Sequence, residues 1–292
     1  MFTIAHISDL HIPPLPRLGA RDLRTKRLIG LFSWHHKWKA EHRQRILESL
    51  LEQLEEEQPD HICITGDITF TTHPMEVDAA AHWLERLGDA RRVSLIPGNH
   101  DAYVPGALDY ALERWSPWMR DDDGHAGFPY LHRRGPVVVV GLSSAVVTPP
   151  AVSLGRLGQQ QIDRTEALLE RIRNPRRLGV LMLHHPPQDG AATPRRALSD
   201  RADLQRMLAR CPVDLVLHGH LHVPVRASLE GSAHPIPVLG AASASTLGKR
   251  KSAAHFHLLD VETQSNQPRV AVRHAHFDPG SERFIVAAGE TL

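Results

Sequence analysis

Arg92-Val-Ser-Leu-Ile-Pro-Gly-Asn-His-Asp101 is the stretch on which the reading of this chain turns. Arg92 to Ile96 make a short strand, Pro97 ends it, and Gly98-Asn99-His100-Asp101 follows at once. An ordinary turn accounts for Gly98 and Asn99, both at ease in left-handed backbone, but it asks for neither His100 nor Asp101. Four such residues at the carboxyl end of a strand mark a candidate site.

The same arrangement recurs four times. Asp9-Leu10-His11 follows a strand at 2–8, Gly66-Asp67 one at 61–65, His184-His185-Pro186 one at 178–183, and Gly219-His220-Leu221-His222 one at 213–217. Between strands the apolar residues change period. Ile46, Leu47, Leu50, Leu51 and Leu54 recur at helical spacing within 41–57, which Pro59 closes. A second helix at 74–87 has Pro74 in its first turn and Gly88 as its cap. Helices at 106–115, 158–172 and 200–210 and a strand at 137–142 continue the alternation, so the fold class is α/β. From about 223 the helices stop, and 223–229, 236–240, 255–261, 268–276 and 283–287 predict a β-rich C-terminal part. The carboxyl ends of strands in an α/β sheet face one crevice, where residues distant in sequence meet. No fixed repeat or low-complexity linker divides the chain, and 292 residues with 41% apolar content suffice for a single domain over 1–292.

Composition removes several function classes. Thirty-four basic against 33 acidic side chains leave a net charge of +1, so charge gives no general attraction for nucleic acid. The two cysteines, Cys63 and Cys211, imply no disulfide framework. No leader pattern and no stretch near ~18 apolar residues is present, which predicts a cytoplasmic location. Histidine is abundant, at 21 residues, so roughly one or two His-x-His pairs are expected by chance. Three occur. His255/His257 and His274/His276 read as one face of late strands with structural or surface roles, and the second Asp-x-His, Asp123-Gly-His125, as a solvated acidic loop.

The five strand-end motifs supply carboxylate, imidazole and amide oxygen without thiolate. That donor set suits two divalent cations of borderline hardness, and Mn, Fe, Zn and Co all remain open. Extended backbone in Asp-x-His and His-x-His would aim alternate side chains at one ion, with Gly66, Gly98 and Gly219 allowing tight turns.

At these residues the chain resembles the calcineurin-like metallophosphoesterases, whose pattern runs D-x-H, GD, GNH(D/E), H and GHxH in that order. The resemblance spans Asp9 to His222 and implies a four-layer α/β/β/α sandwich of mixed sheets flanked by helices, with the site above the strand ends. It implies Asp9, His11 and His222 on one ion, Asn99, His184 and His220 on a second, and Asp67 bridging them. His184, two before the proline, matches the family's ligand better than His185. Two such ions share a bridging hydroxide for in-line attack at phosphorus. His100 then becomes a transition-state stabiliser or general acid, and Asp101 a group that holds its ring and favours its protonated form.

The moderate length and full Gly-Asn-His-Asp motif resemble the cyclic-nucleotide and glycerophosphodiester phosphodiesterase branch, so a small phosphodiester is the expected substrate. An insertion at 17–45 adds a second possibility. Arg17, Arg21, Arg24, Lys26, Arg27, Lys37, Lys39, Arg43 and Arg45 oppose only Asp22 and Glu41, with Leu28, Ile29, Leu31, Phe32, Trp34 and Trp38 among them. Such a segment fits an anionic lipid, the inner membrane face, or a nucleotide–lipid pyrophosphate as in lipid A biosynthesis; it equally fits a helical cap on its own domain. A metal-binding scaffold without catalysis is the non-enzyme alternative, and a nuclease is disfavoured. Oligomeric state leaves no mark in the sequence.

Overall fold

The structure, a computed structural model, describes residues 1–13, 15, 19, 26–38, 42–263 and 268–292, without the side chains of Lys37 and Trp38. Arg17, Arg21, Asp22, Arg24, Lys39 and Glu41 of the basic insertion lie outside the described residues. In chain order the elements begin with β1 (Phe2–Ile7), α1 (Lys26–Ser33), a π-helical turn (Trp34–Trp38), α2 (Gln44–Glu57), β2 (His61–Ile64), α3 (Pro74–Leu87) and β3 (Val93–Leu95). A 3-10 turn (Asn99–Ala102) leads to α4 (Ala107–Arg114), β4 (Tyr130–Arg134), β5 (Val137–Gly141), α5 (Gln159–Ile172), β6 (Leu178–Met182), α6 (Arg201–Leu208) and β7 (Leu215–His218). The C-terminal part holds β8 (Val225–Leu229), β9 (Ile236–Gly240), β10 (His255–Glu262), β11 (Arg269–Asp278), β12 (Arg283–Val286) and β13 (Glu290–Thr291).

These strands form two mixed sheets. One runs β12-β11-β10-β1-β2-β3 with β13 on β11, the other β4-β5-β6-β7-β9-β8. β1, β2 and β3 are parallel, as are β5, β6, β7 and β9, while β10 to β13 join the first sheet antiparallel. The expected β-rich tail is therefore split: β8 and β9 complete the second sheet and the rest completes the first.

Strand periodicity sorts the core. Val137 and Val139 of β5 join the cluster that includes β1, β2 and β10, whereas Val138 and Val140 join Ile162 and Leu169 of α5 and Leu204 and Leu208 of α6. On the first sheet, Arg273 meets Asp260 at 2.7 Å and Glu57 of α2 at 2.6 Å on the helix-facing side. Phe2, on the opposite side, packs against Gly135 between β4 and β5. The result is the α/β/β/α sandwich.

α3 begins as its sequence predicts. Pro74 occupies the first turn, His73 caps it by accepting from the Met75 N–H, and Glu76 reaches back to the His73 N–H at 2.9 Å. β4 was not anticipated, because Tyr-Leu-His-Arg-Arg has no clean alternation. It is placed by pairing with the all-valine β5. The described part of the insertion is helical. Lys26 donates to the Thr148 carbonyl at 3.1 Å and Arg27 to Thr72 at 2.7 Å, so these two charges hold the segment to its own domain. Leu28, Ile29 and Phe32 remain exposed. No described helix is long and apolar enough to cross a membrane.

Candidate metal centre

Asp9 and His11 follow β1, Asp67 follows β2, Asn99 and His100 follow β3, His184 follows β6, and His220 and His222 follow β7. Both sheets thus contribute, and the crevice expected from the sequence lies across their carboxyl ends. Two contacts fasten the halves: His184 Nδ1 donates to the Thr65 carbonyl at 2.7 Å, and the His220 N–H to Asp9 Oδ2 at 2.9 Å.

Extended backbone, expected for Asp-x-His and His-x-His, is not what aims these side chains. The φ angles are +52° at Asp9, +40° at His11, +53° at Asp67, +71° at His220 and +57° at His222. Left-handed backbone costs a non-glycine residue about 1–2 kcal/mol, and residues held there cluster at functional sites. Each turn ends its strand abruptly and tips successive side chains back over the sheet. Gly219 is needed for the approach itself, since a Cβ there would stand 1.9 Å from Ser8 Oγ and 2.5 Å from Asp9 Oδ2.

Seven polar side chains meet here, all buried. Asp9, His11, Asp67 and His222 each offer a donor atom within 4.8 Å of the others, and Asp67, His184 and His220 do the same. Asp67 belongs to both sets. Asn99 Oδ1 lies 3.2 Å from His184 Nε2 and so joins the second.

The donors are arranged for a cation. His184 spends Nδ1–H on Thr65, and its Nε2 then faces two oxygens, Asn99 Oδ1 and Asp67 Oδ2, the latter at 3.3 Å. His11 likewise spends Nδ1–H on the Thr69 carbonyl and turns Nε2 inward, 3.9 Å from both Asp9 Oδ1 and Asp67 Oδ2. His220 Nε2 is buried without a hydrogen bond among the described residues, and Asp9 Oδ1 faces His222 Nε2 at 3.1 Å. Lone pairs converging in a buried space are costly unless a proton or a metal ion sits among them.

Protonation follows that geometry. Burial and the nearby His100 hold His11 down to about 3, so it is a neutral donor. Burial would lower His184 as well, but the carboxylates of Asp67 and Asp9 outweigh it and raise the ring to about 9. Without a metal, that proton is the cation of the second donor set.

His100 and Asp101 divide differently from expectation. The His100 N–H donates to Asp67 Oδ1 at 2.7 Å, its ring Nδ1 donates to the Phe70 carbonyl at 2.7 Å, and the ring stacks on Tyr103. Asp101 does not hold that ring. Its carboxylate accepts from the N–H groups of Ile68, Thr69 and Gly98 at 2.9–3.2 Å and from the Thr69 hydroxyl at 2.8 Å. It therefore ties the loop after Asp67 to the turn before Asn99, a positioning role. His185 is a satisfied core residue, bonded to Ser144 and the Ser153 carbonyl.

Three neighbours left no signal in the sequence. His42 lies buried with its ring 4.9 Å from that of His11 and can pair with His11 and His222 around an ion. Arg196 donates to the His220 carbonyl at 3.4 Å, and Lys251 to the Leu221 carbonyl at 2.5 Å. They arrive from loops without motif spacing, and only the fold brings them to the 220–222 turn.

Residues 2–224 match the calcineurin-like phosphoesterase family. The chain belongs to that family. This phosphoesterase is also 29% identical, over 224 residues covering 75% of it and 73% of the relative, to a probable cyclic nucleotide phosphodiesterase of Synechococcus sp.. Its fold is similar to a dimetal phosphatase of Danio rerio, at TM-score 0.64 and 15% identity over 99% of both chains. It also resembles the purple acid phosphatase PPD1 of yellow lupin, at TM-score 0.60 and 12% identity over 94% of this chain and 51% of that one. As a member of the family, it is a metal-dependent phosphoric ester hydrolase.

Proposed function

We propose that this phosphoesterase hydrolyses a small phosphodiester, of cyclic-nucleotide or glycerophosphodiester type, at a dinuclear centre. The observation that carries the reading is the pair of donor sets sharing Asp67. Asp9, His11 and His222 would hold one ion, Asn99, His184 and His220 the other, with Asp67 between them. The named Synechococcus relative supports the diester. Mn, Fe and Zn all suit these donors.

When bound, two such ions would activate water for in-line attack and neutralise charge on the phosphoryl oxygens. The chain's own contribution is positioning and proton supply. Because Nδ1–H of His100 is committed to Phe70, the other ring nitrogen is the one available to substrate. It can give a proton to the leaving oxygen only from the doubly protonated ring. Arg196 and Lys251, beside the 220–222 turn, add positive charge where a phosphate would enter.

A second reading keeps a specific support. Lys26 stands over Tyr103, which stacks on His100, so the exposed Leu28, Ile29 and Phe32 belong to a helix one aromatic layer from the reacting position. A substrate with a lipid part, including a nucleotide–lipid pyrophosphate, would place it there.

A panel on metal-reconstituted protein separates these readings: bis(p-nitrophenyl) phosphate, cyclic nucleotides, a glycerophosphodiester, phosphomonoesters and a nucleotide-diphospho-lipid. Preference for diesters is expected. Turnover of the monoester or the lipid pyrophosphate alone would overturn it, and no turnover with Mn²⁺ would leave a scaffold.

A further inference from the structure

The late histidines do more than occupy one strand face. β10 and β11 pair antiparallel with His257 opposite His274 and His255 opposite His276. Side chains alternate along a strand, so His255, His257 and His274 share the face opposite to the one carrying Asp260 and Arg273. There each offers a ring nitrogen within 4.8 Å of the other two. We propose that His255, His257 and His274 form a separate mononuclear site for a transition-metal cation, of which Zn²⁺ is the type.

Spacing supports this first. His255 Nε2 and His274 Nδ1 are 3.4 Å apart. Two nitrogens bound at 2.0–2.1 Å to one tetrahedral ion stand about 3.3–3.4 Å apart. The second support is what lies behind the rings. His274 Nε2 is 3.5 Å from the Glu290 carboxylate, the usual outer partner of a metal-binding imidazole, and this leaves Nδ1 as the inward lone pair. His257 is steadied through Nδ1, 3.2 Å from His6 Nδ1, while His6 Nε2 lies 2.9 Å from Thr65 Oγ1. That leaves His257 Nε2 for the ion.

The third support is cost. His255 and His257 are buried, and His255 Nδ1 has no hydrogen-bond partner among the described residues. Three mutually facing imidazoles gain little from one another, since only one shared N–H can lie along any N···N contact. Burial and the neighbouring His274 hold His255 down to about 3, so at neutral pH it is an uncharged ligand ready for a cation. His274, with 34% of its side chain exposed, gives an ion a way in. Three protein nitrogens and one open position complete a tetrahedral site, whose fourth ligand would be water. An ion there would clamp β10 to β11 beside the central β1.

The test compares the full chain with His255→Gln, His274→Gln and, as control, His276→Gln. Each metal-free protein is titrated with Co²⁺ and Zn²⁺, and bound ions per chain are counted by mass spectrometry after gel filtration. The visible absorption of tetrahedral Co²⁺ and turnover of bis(p-nitrophenyl) phosphate with Mn²⁺ are read in parallel. His274→Gln, at a partly exposed position, should fold even where His255→Gln does not. It should bind one ion fewer than the parent and lose the tetrahedral Co²⁺ band of that ion, with turnover unchanged. His276→Gln should match the parent. Equal ion counts in parent and His274→Gln, or the same loss in His276→Gln, would overturn the proposal and leave only surface histidine binding.

Discussion

His220-Leu-His222 follows a strand, while His255-Phe-His257 lies inside one, and the same letters do opposite things. Within β10 the two-residue period sends both rings to one place, where His274 meets them from β11. After β7 the left-handed turns at His220 and His222 part the rings. His220 goes to His184 and Asp67, and His222 to Asp9 and His11. A strand-end His-x-His can therefore serve two donor sets, whereas a mid-strand one serves a single set. Backbone conformation, which the letters alone do not state, decides between them.

The largest effect should come from the residue that joins the two sets. Asp67→Asn removes the one carboxylate common to both, so turnover should fall by about 10³-fold or more and bound metal below two per chain. Mass spectrometry with diester kinetics checks both. A variant that keeps two ions and parental turnover would break the idea of a shared ligand.

His100→Ala should act on chemistry alone. Its ring touches no donor set as a member, so metal content should stay near two while kcat falls about 10²–10³-fold. A drop in metal content equal to the drop in kcat would make His100 structural.

Gly-Asn-His-Asp was legible in the sequence because its four residues answer to chemistry and not to a turn. Asp9, His11, Asp67, Asn99, His184, His220 and His222 were readable for the same reason, and the structure gathers all seven. What the sequence could not carry was direction. It holds no φ angles, so the left-handed donor residues read as extended, and Asp101 read as a partner for the His100 ring when its carboxylate turns to backbone N–H groups. His42, Arg196 and Lys251 reach the site only through pairing and packing far from their own segments. β4 was hidden because its burial is set by β5 and not by its own alternation.

A smaller effect separates proton from metal at His184. Its pKa is raised from 6.5 to about 9 in the metal-free fold, so the proton is bound more tightly folded than unfolded. The stability this adds is fully present below pH 6.5 and is lost as pH rises through about 9. An incoming ion must displace that proton, so apparent affinity at the second set should rise with pH, by up to about tenfold per unit, and level off above it. Calorimetric titrations across that range check it. The His255 cluster, where burial holds His255 and His257 well below the usual imidazole range, should show no such slope there.

Asp123-Gly-His125 should give the smallest effect, although it repeats the letters of Asp9-Leu-His11. Asp123 binds Arg133 at 2.8 Å and Arg171 at 3.2 Å, and both Asp123 and His125 face solvent. Water and salt screen such pairs, and among the described residues no group of three donor side chains forms around them as Asp67 and His222 close on Asp9. Asp123→Ala should therefore leave metal content, kcat and melting temperature at parental values. A loss of bound metal in that variant would mean that Asp-x-His acts by its letters wherever it falls. Parental values would place its function in the strand end that turns Asp9 inward.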